Sequence, residues 1–296
     1  MASGRTTTGS LGDSLDTVVM SARTTREVGG VMQQCVDRIT LEKNKGLDWK
    51  EVLLAQMNAQ AIQETTVLDN PQQYSDTAIT VTPTKIGIET FVSDRTKDRV
   101  NKKTLAKMGK VPQEGVERKK NADGLTQIDS FSSSYCGAGS TLTTGHLTAA
   151  VATVQTGASS SSGTGEPAPL PINIVLHSYQ IKDIEDELMA GVGTYAIPEG
   201  LTSSVLRSRF KGTISGARVY NDDNITIDSS DDAKGGVFSK KAIVLVQGAS
   251  PKVYHKFRPE IGGGGESLYL YDEYAYGERL DSWGVEIASD AATPTS

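Results

Sequence analysis

Apolar residues recur with a helical period at the start of the chain. Leu15, Val18, Val19 and Ala22 stand at i, i+3, i+4 and i+7, and Val28, Val31, Met32, Cys35, Val36 and Ile39 form a second stripe after a break near Thr24. The pattern predicts two helices over 13–39. The second is weakened by Gly29 and Gly30, since a glycine in a helix interior costs about 1 kcal/mol against alanine. From Trp49 to Val92 the pattern changes to two long, thinly apolar stretches, the second rich in Thr, Ile and Val, with the turn signal Asn70-Pro71 between them. This predicts a long hairpin. Its arms carry Ala55, Ala59, Ala61, Thr65, Thr77 and Ala78 where a self-sufficient pair would carry larger side chains. An isolated two-stranded hairpin is marginal in water, so this one is expected to rest on something else.

A helix is predicted from Ser93 or Asp94, either of which can cap it, with Val100, Leu105 and Met108 as a narrow apolar face. Pro112 is expected to kink or divide it. Beyond Ser130 the pattern is mixed. "GHLTAAVATVQ" reads as a short helix, 157–171 as a low-complexity loop, "INIVLH" as a buried strand and "YQIKDIEDELMA" as the helix after it. "FKGTISGARVYND" and "KKAIVLVQG" read as strands. "PKVYHKFRPE" and "ESLYLYDEYAYGERL" then form a long antiparallel pair around the run Gly262–Gly265, and Trp283, Val285 and Ile287 alternate to the end.

Charge changes this picture in one place. The 296 residues carry a net charge of −6, which favours solubility over a whole-protein affinity for nucleic acid. The window 93–120 nevertheless holds ten basic residues against four acidic ones, a local charge of +6. Cys35 and Cys136 are too few for a disulfide framework and imply a reducing compartment. No apolar run approaches a membrane span, and "MASGRTTTGS" has no apolar core of a signal peptide, so a soluble cytosolic chain without membrane contact is expected.

Catalytic signatures are missing from the sequence. His146, His177 and His255 show no metal-ligand spacing, and His177 reads as a structural imidazole. Neither "GAGSTLTTG" nor "GVGTYA" completes a phosphate-loop or dinucleotide fingerprint. The Gly262–Gly265 run precedes a strand, and so reads as a hairpin tip. Asp222, Asp223, Asp228, Asp231 and Asp232 lack calcium-loop spacing and read as a solvated loop. Asp272 and Glu273 would face opposite sides of a strand, which spoils them as a carboxylate pair. No enzyme activity, cofactor or metal is expected.

The order of parts is distinctive. A polar arm precedes a coreless hairpin, a basic helix, a compact α/β region and a tyrosine-rich final strand. With "ETTVLDNPQQYSDTAITVTPTKIGIETFVSDRT", "VLHSYQIKDI", "GVFSKKAIVLVQG" and the C-terminal "YLYDEYAYGERLDSWGVEIASDA", the chain resembles, over nearly its whole length, the major capsid proteins of tailed phages with the Hong-Kong-97-type fold.

The resemblance implies an α+β fold: an N-terminal arm (1–45), an extended loop (46–92), the spine helix of a peripheral domain (93–130), a mainly axial domain (131–250), and long peripheral strands with a C-terminal return (251–296). It implies self-assembly through hexamers and pentamers into an icosahedral shell in the bacterial cytoplasm, around double-stranded DNA held without sequence specificity. Portal, scaffolding and decoration proteins are the further partners implied. The loop tip (Glu64, Thr65, Asp69, Asn70, Pro71 and Tyr74) would touch a neighbouring subunit. The basic helix (Arg95, Lys97, Arg99, Lys102, Lys103 and Lys107) would face acidic neighbours or the DNA side. Only about 45 residues precede the hairpin, so a separate scaffolding protein is expected. Some members crosslink through a loop lysine, and no lysine lies between Glu51 and Thr84. The rival readings are an encapsulin-type nanocompartment with protein cargo, an α/β enzyme with a hairpin lid, and a phage tail or adhesin β-protein, the last disfavoured by the helices.

Overall fold

A computed structural model describes residues 30–42, 46–54, 57, 61–63, 73–74, 76–99, 110–157, 166–192 and 212–294. Two sheets organise them. The first is built on β10 (Ile243–Phe257) and β11 (Gly265–Glu278), paired antiparallel along almost their whole length. Their connection passes through Gly262, Gly263 and Gly264 at φ of 54°, 90° and 111°, a left-handed path that L side chains rarely take. β1 (Asp37–Thr40) lies parallel to the first residues of β10, and β4 (Thr84–Ser93) lies antiparallel to β11, giving the order β1-β10-β11-β4. Alternation along β10 sorts its side chains onto two faces. Ile243 and Leu245 join the main core with Met32, Cys35 and Phe238, whereas Val244 and Val246 pack with Val81 on the opposite side.

The second sheet has the order β5-β12-β9-β6-β8-β7. These strands are β5 (Ser134–Cys136), β12 (Gly284–Asp290), β9 (Asp232–Ser239), β6 (Ile172–Leu176), β8 (Ala217–Asn221) and β7 (Thr213–Ile214). β6 is buried at every position, which is why it does not alternate, and its one polar side chain, Asn173, donates to the Cys35 carbonyl at 2.8 Å. Leu147, Val151 and Val154 of the helix Thr144–Thr156 join Ile181 and Ile184 of the helix Ser178–Val192 in the core of this sheet. The first of these helices is framed at both ends. Thr143 and His146 form a reciprocal capping box, and Gly157 closes the C-terminus at φ 62°.

The N-terminal helical stripe needs correction. Of the described residues 30–40, only Met32–Cys35 (α1) is helical; Val36 is extended (φ −109°, ψ 165°), and Asp37–Thr40 continues as β1. The branched residues Val36, Ile39 and Thr40 favour a pleated strand, and the open edge of β10 supplies a ladder that outweighs the helical period. The Leu15 stripe lies outside the described residues.

The long hairpin is also shorter than its composition suggested. β2 (Trp49–Leu54) and β3 (Asp76–Val81) pair over six residues each. Thr84–Ser93 is not a continuation of that arm. Pro83 cannot donate to a ladder, and beyond it the chain leaves β2 and pairs with β11 instead.

Ser93 caps α2 (Asp94–Arg99), its Oγ accepting from the Thr96 N–H at 3.2 Å. A further helical segment, α3 (Lys110–Thr126), continues past Pro112, which is buried within it. The chain then crosses between the sheets twice. β10 carries it from the second sheet into the first, and after β11 the short turn Asp281–Trp283 returns it to the second as β12, between β5 and β9.

Candidate assembly surfaces

The described residues hold no group of three or more His, Cys, Asp or Glu placed to bind a metal ion, and no described helix is long and apolar enough to cross a membrane. What they do hold is a set of polar joints that fix the helix and the hairpin against the first sheet.

The joint under α3 is buried. Lys120 meets Asp272 of β11 at 2.6 Å, with both side chains almost wholly out of solvent, and stands over the Tyr274 ring at 5.0 Å. The second Asp272 oxygen accepts from Gln247 Nε2 at 2.6 Å. Asp272 and Glu273 do face opposite sides of β11, and Asp272 has become a structural anchor. One turn along α3, Asp123 accepts from the Tyr274 hydroxyl at 2.8 Å, and burial together with that carboxylate pushes the Tyr274 phenol well above its ordinary range.

A second joint ties the start of the described chain to α3. Asp222 is fully buried rather than part of a solvated acidic loop. One of its oxygens accepts from the Val31 N–H (3.2 Å) and Asn121 Nδ2 (2.7 Å), and the other accepts from Asn224. Asp232, also buried, accepts from the Gly139 N–H at 2.6 Å. The acidic run is split this way because its carboxylates are the acceptors that satisfy buried backbone donors. Nearby, His177 Nδ1 accepts from the Tyr179 N–H at 3.2 Å, and burial lowers its pKa, so the imidazole is structural.

The third joint fixes the hairpin base. Arg279, just past β11, donates through Nε to Glu51 on β2 (2.6 Å) and through Nη1 to Asp37 on β1 (2.8 Å), and its guanidinium lies over the Trp49 ring at 5.5 Å. Sequence reading passed over Arg279 because a lone arginine in a strand has no motif. Its signal is spatial, and only the fold brings Asp37, Trp49 and Glu51 to it.

Among the described residues, large apolar side chains are exposed around the hairpin and on the first sheet, and also at Val111 and Leu170. Around the hairpin, Leu47, Val52, Leu54, Met57 and Ile62 are exposed, and Tyr74 is 74% exposed. On the distal half of the first sheet, Val253, Tyr254, Phe257 and Tyr271 are exposed. Of the tip residues, Glu64, Thr65, Asp69, Asn70 and Pro71 lie outside the described residues. On α2, Arg95 and Arg99 are exposed, while Lys97 is committed to Glu266 at 2.8 Å and Asp94 at 3.6 Å. Lys102, Lys103 and Lys107 lie outside the described residues.

No family model and no curated protein matches the sequence. Solved structures match the fold along most of its length. The capsid of cyanophage Pam1 superposes with a TM-score of 0.71 at 11% identity, over 99% of this chain and 100% of its own. The head of Helicobacter pylori bacteriophage KHP40 gives 0.69 at 11% identity over 91% and 93%. The capsid of Ralstonia phage GP4 gives 0.66 at 11% identity over 95% and 98%. With its helix laid along a long antiparallel sheet, a projecting hairpin and a last strand returned to a second sheet, the chain has the Hong-Kong-97-type fold of tailed-phage major capsid proteins.

Proposed function

We propose that this chain is a structural major capsid subunit that assembles with copies of itself, as hexamers and pentamers, into an icosahedral shell around phage double-stranded DNA. The observation that carries this reading is the match of the fold, over 91–99% of the chain, to solved structures of phage capsids and heads. The exposed large apolar residues of the hairpin support it, because apolar side chains left in solvent gain by burial against another molecule.

In this reading the β2–β3 hairpin supplies the extended loop that crosses a neighbouring subunit, with its base held by Arg279, while Thr84–Ser93 belongs to the first sheet. α2 and α3 form the spine helix beside the peripheral sheet. The second sheet is the axial domain, converging at capsomer centres. Arg95 and Arg99 face acidic neighbours or the packaged DNA, and portal, scaffolding and decoration proteins complete the particle. Heterologous contacts of this kind close into rings and then a shell, with binding energy spread over many interfaces.

Negative-stain electron microscopy of the concentrated purified protein tests the proposal. Closed polyhedral shells or six- and five-membered rings are expected. A monodisperse monomer at every concentration and salt level overturns it.

A further inference from the structure

The first sheet ends in two edges that are built differently. On one side, β1 pairs with β10 only up to Gln247, and beyond it β10 carries register shifts between Gln247 and Ala249 and between Ala249 and Lys252. Pro251, Lys252 and Lys256 follow along the same strand. Bulges, proline and lysine are the devices that keep an edge strand from pairing with another chain. On the other side, β4 pairs with β11 along its whole length without a shift and holds no proline. Among the described residues no strand lies beyond it. One edge is guarded and the other is open.

The ladder fixes what the open edge presents. Asp94 donates its N–H to the carbonyl of Gly264 at 3.0 Å, next to the Ser93–Gly265 pair. Hydrogen-bonded pairs recur at every second residue of an antiparallel ladder, so the even residues of β4 bond to β11. Lys85, Gly87, Glu89 and Phe91 therefore turn their N–H and C=O groups to the open edge. The sequence there, Thr84–Thr90, is Thr-Lys-Ile-Gly-Ile-Glu-Thr. Rotated by half a turn about Gly87 and laid antiparallel on itself, it sets Thr84 opposite Thr90, Lys85 opposite Glu89, Ile86 opposite Ile88 and Gly87 opposite Gly87. Opposite-charge, threonine and branched aliphatic pairs are cross-strand neighbours that stabilise a sheet. The segment is complementary to itself, as a contact across a twofold axis requires.

We propose that β4 of one copy pairs antiparallel with β4 of a second copy about a twofold axis at Gly87, joining two four-stranded sheets into one. This contact goes beyond the capsid reading and needs no closed shell to form. Lys85 and Glu89 share the face of β4 on which Gly87 stands beside Tyr271. Within its own sheet Glu89 accepts from Ser267 Oγ at 3.0 Å and meets Arg258 at 3.3 Å, yet its side chain is 46% exposed and open to a further cation. Gly87 makes room for the Tyr271 ring, which an added Cβ would approach to 2.6 Å. Tyr271 is itself exposed, so the axis carries two open rings beside a strip of bare backbone.

Disulfide trapping tests the register. In a Cys136→Ser background, Thr84→Cys and Thr90→Cys are made as separate full-length variants, with Cys35 left buried. Each is oxidised alone and as an equimolar mixture, both as unassembled subunits and as shells. Across the axis, positions 84 and 90 form a non-hydrogen-bonded pair, where opposed side chains come closest. A linked dimer is expected in the mixture and many-fold less in either variant alone, whose like positions lie roughly 20 Å apart along the ladder. Absence of the mixed dimer from both preparations overturns the proposal, and shells that form without it leave the capsid reading standing. A link as abundant in one variant alone as in the mixture overturns the register. Charge gives the second readout. Lys85→Glu in both cysteine variants sets like charges across the axis and should cut the linked dimer several-fold. Lys85→Glu in one and Glu89→Lys in the other restores both opposite-charge pairs and should restore the dimer. A second mixture no better than the first contradicts the pairing.

Discussion

Lys120 of α3 and Asp272 of β11 form an ion pair of 2.6 Å with almost no solvent contact. It ties the helix to the long sheet beside the Asp123–Tyr274 hydrogen bond. Removing one partner of a buried pair leaves an uncompensated charge, a loss of about 3–5 kcal/mol, whereas replacing both with apolar groups is far milder. Lys120→Met alone is therefore expected to lower the urea midpoint sharply. Lys120→Met with Asp272→Leu should recover most of the loss. A single variant as stable as the parent would show that the pair does not hold the helix.

Arg279 is the corresponding tie for the hairpin, through Glu51, Asp37 and the Trp49 ring. Hydrogen bonds to charged groups contribute about 1.5–3 kcal/mol each, here reduced because both carboxylates are a third exposed. Arg279→Ala should speed amide exchange across Trp49–Leu54 more than across β11, and should lower the yield of closed shells. Arg279→Lys keeps the charge but loses the fork and the ring contact, so it should not restore the parent behaviour. Equal exchange in all three proteins would remove Arg279 from this role.

These two joints mark where sequence reading stops. The buried strand 172–176, the two helices flanking it and the β10–β11 pair were legible because their apolar periods agree with their final environment. His177 as a structural imidazole and the Gly262–Gly265 run as a hairpin tip were legible from their local sequence. Val36–Thr40 was misread because a free strand edge, invisible in a single chain segment, outweighed its helical period. Thr84–Ser93 was joined to the wrong partner because strand patterns carry no address for their neighbour. Asp222 looked like a surface acid, since the Asn121 donor it satisfies lies 101 residues away in sequence, and the anchoring role of Asp272 was hidden because its Gln247 donor lies 25 residues away.

Thiol reactivity follows from burial. Desolvation, with Asp222 adding to it and Lys240 opposing it, pushes the Cys35 thiol up to about 12, and burial raises Cys136 as well although it stays partly exposed. Iodoacetamide at pH 8 should label Cys136 slowly and leave Cys35 untouched until denaturant is added, because the thiolate is the nucleophile. Mass spectrometry of tryptic peptides reads both sites. Labelling of Cys35 at the rate of Cys136 would contradict its burial. Both thiols are free, so assemblies should be indifferent to dithiothreitol.

Glu286 gives a pH signature. Burial raises its pKa, with Lys234 opposing that shift and Asp129 adding to it. Above the ordinary carboxylate value and up to the raised folded one, the native state holds more protons than the unfolded state. Stability contributed by this group therefore falls as pH rises through that window. Glu286→Gln removes the term. Relative to the parent, the variant should gain stability at pH 7 and lose the advantage towards pH 4.5, as urea midpoints measured across that range will show. A constant difference at all pH values would mean that Glu286 does not titrate there.

The hairpin carries the last prediction. Its described pairs run from Trp49 with Val81 to Leu54 with Asp76, and Leu47, Val52, Leu54 and Tyr74 turn large apolar surface to solvent. Apolar burial contributes about 25 cal/mol per Å², so such surface left uncovered gives up stabilisation that a neighbouring subunit can supply. Replacing residues 55–75 with a short Gly-Ser turn keeps the six-residue ladder and the Arg279 contacts to Trp49 and Glu51. The subunit should remain soluble and melt cooperatively near the temperature of the unassembled parent, since the described residues of the removed segment, Met57, 61–63, Gln73 and Tyr74, belong to none of the three core clusters. Shell formation should fail. An enzyme lid would show the reverse, an altered activity with an unaltered oligomeric state. Analytical ultracentrifugation separates the outcomes, and particles of parental size from the shortened chain would show that the loop is not an assembly element.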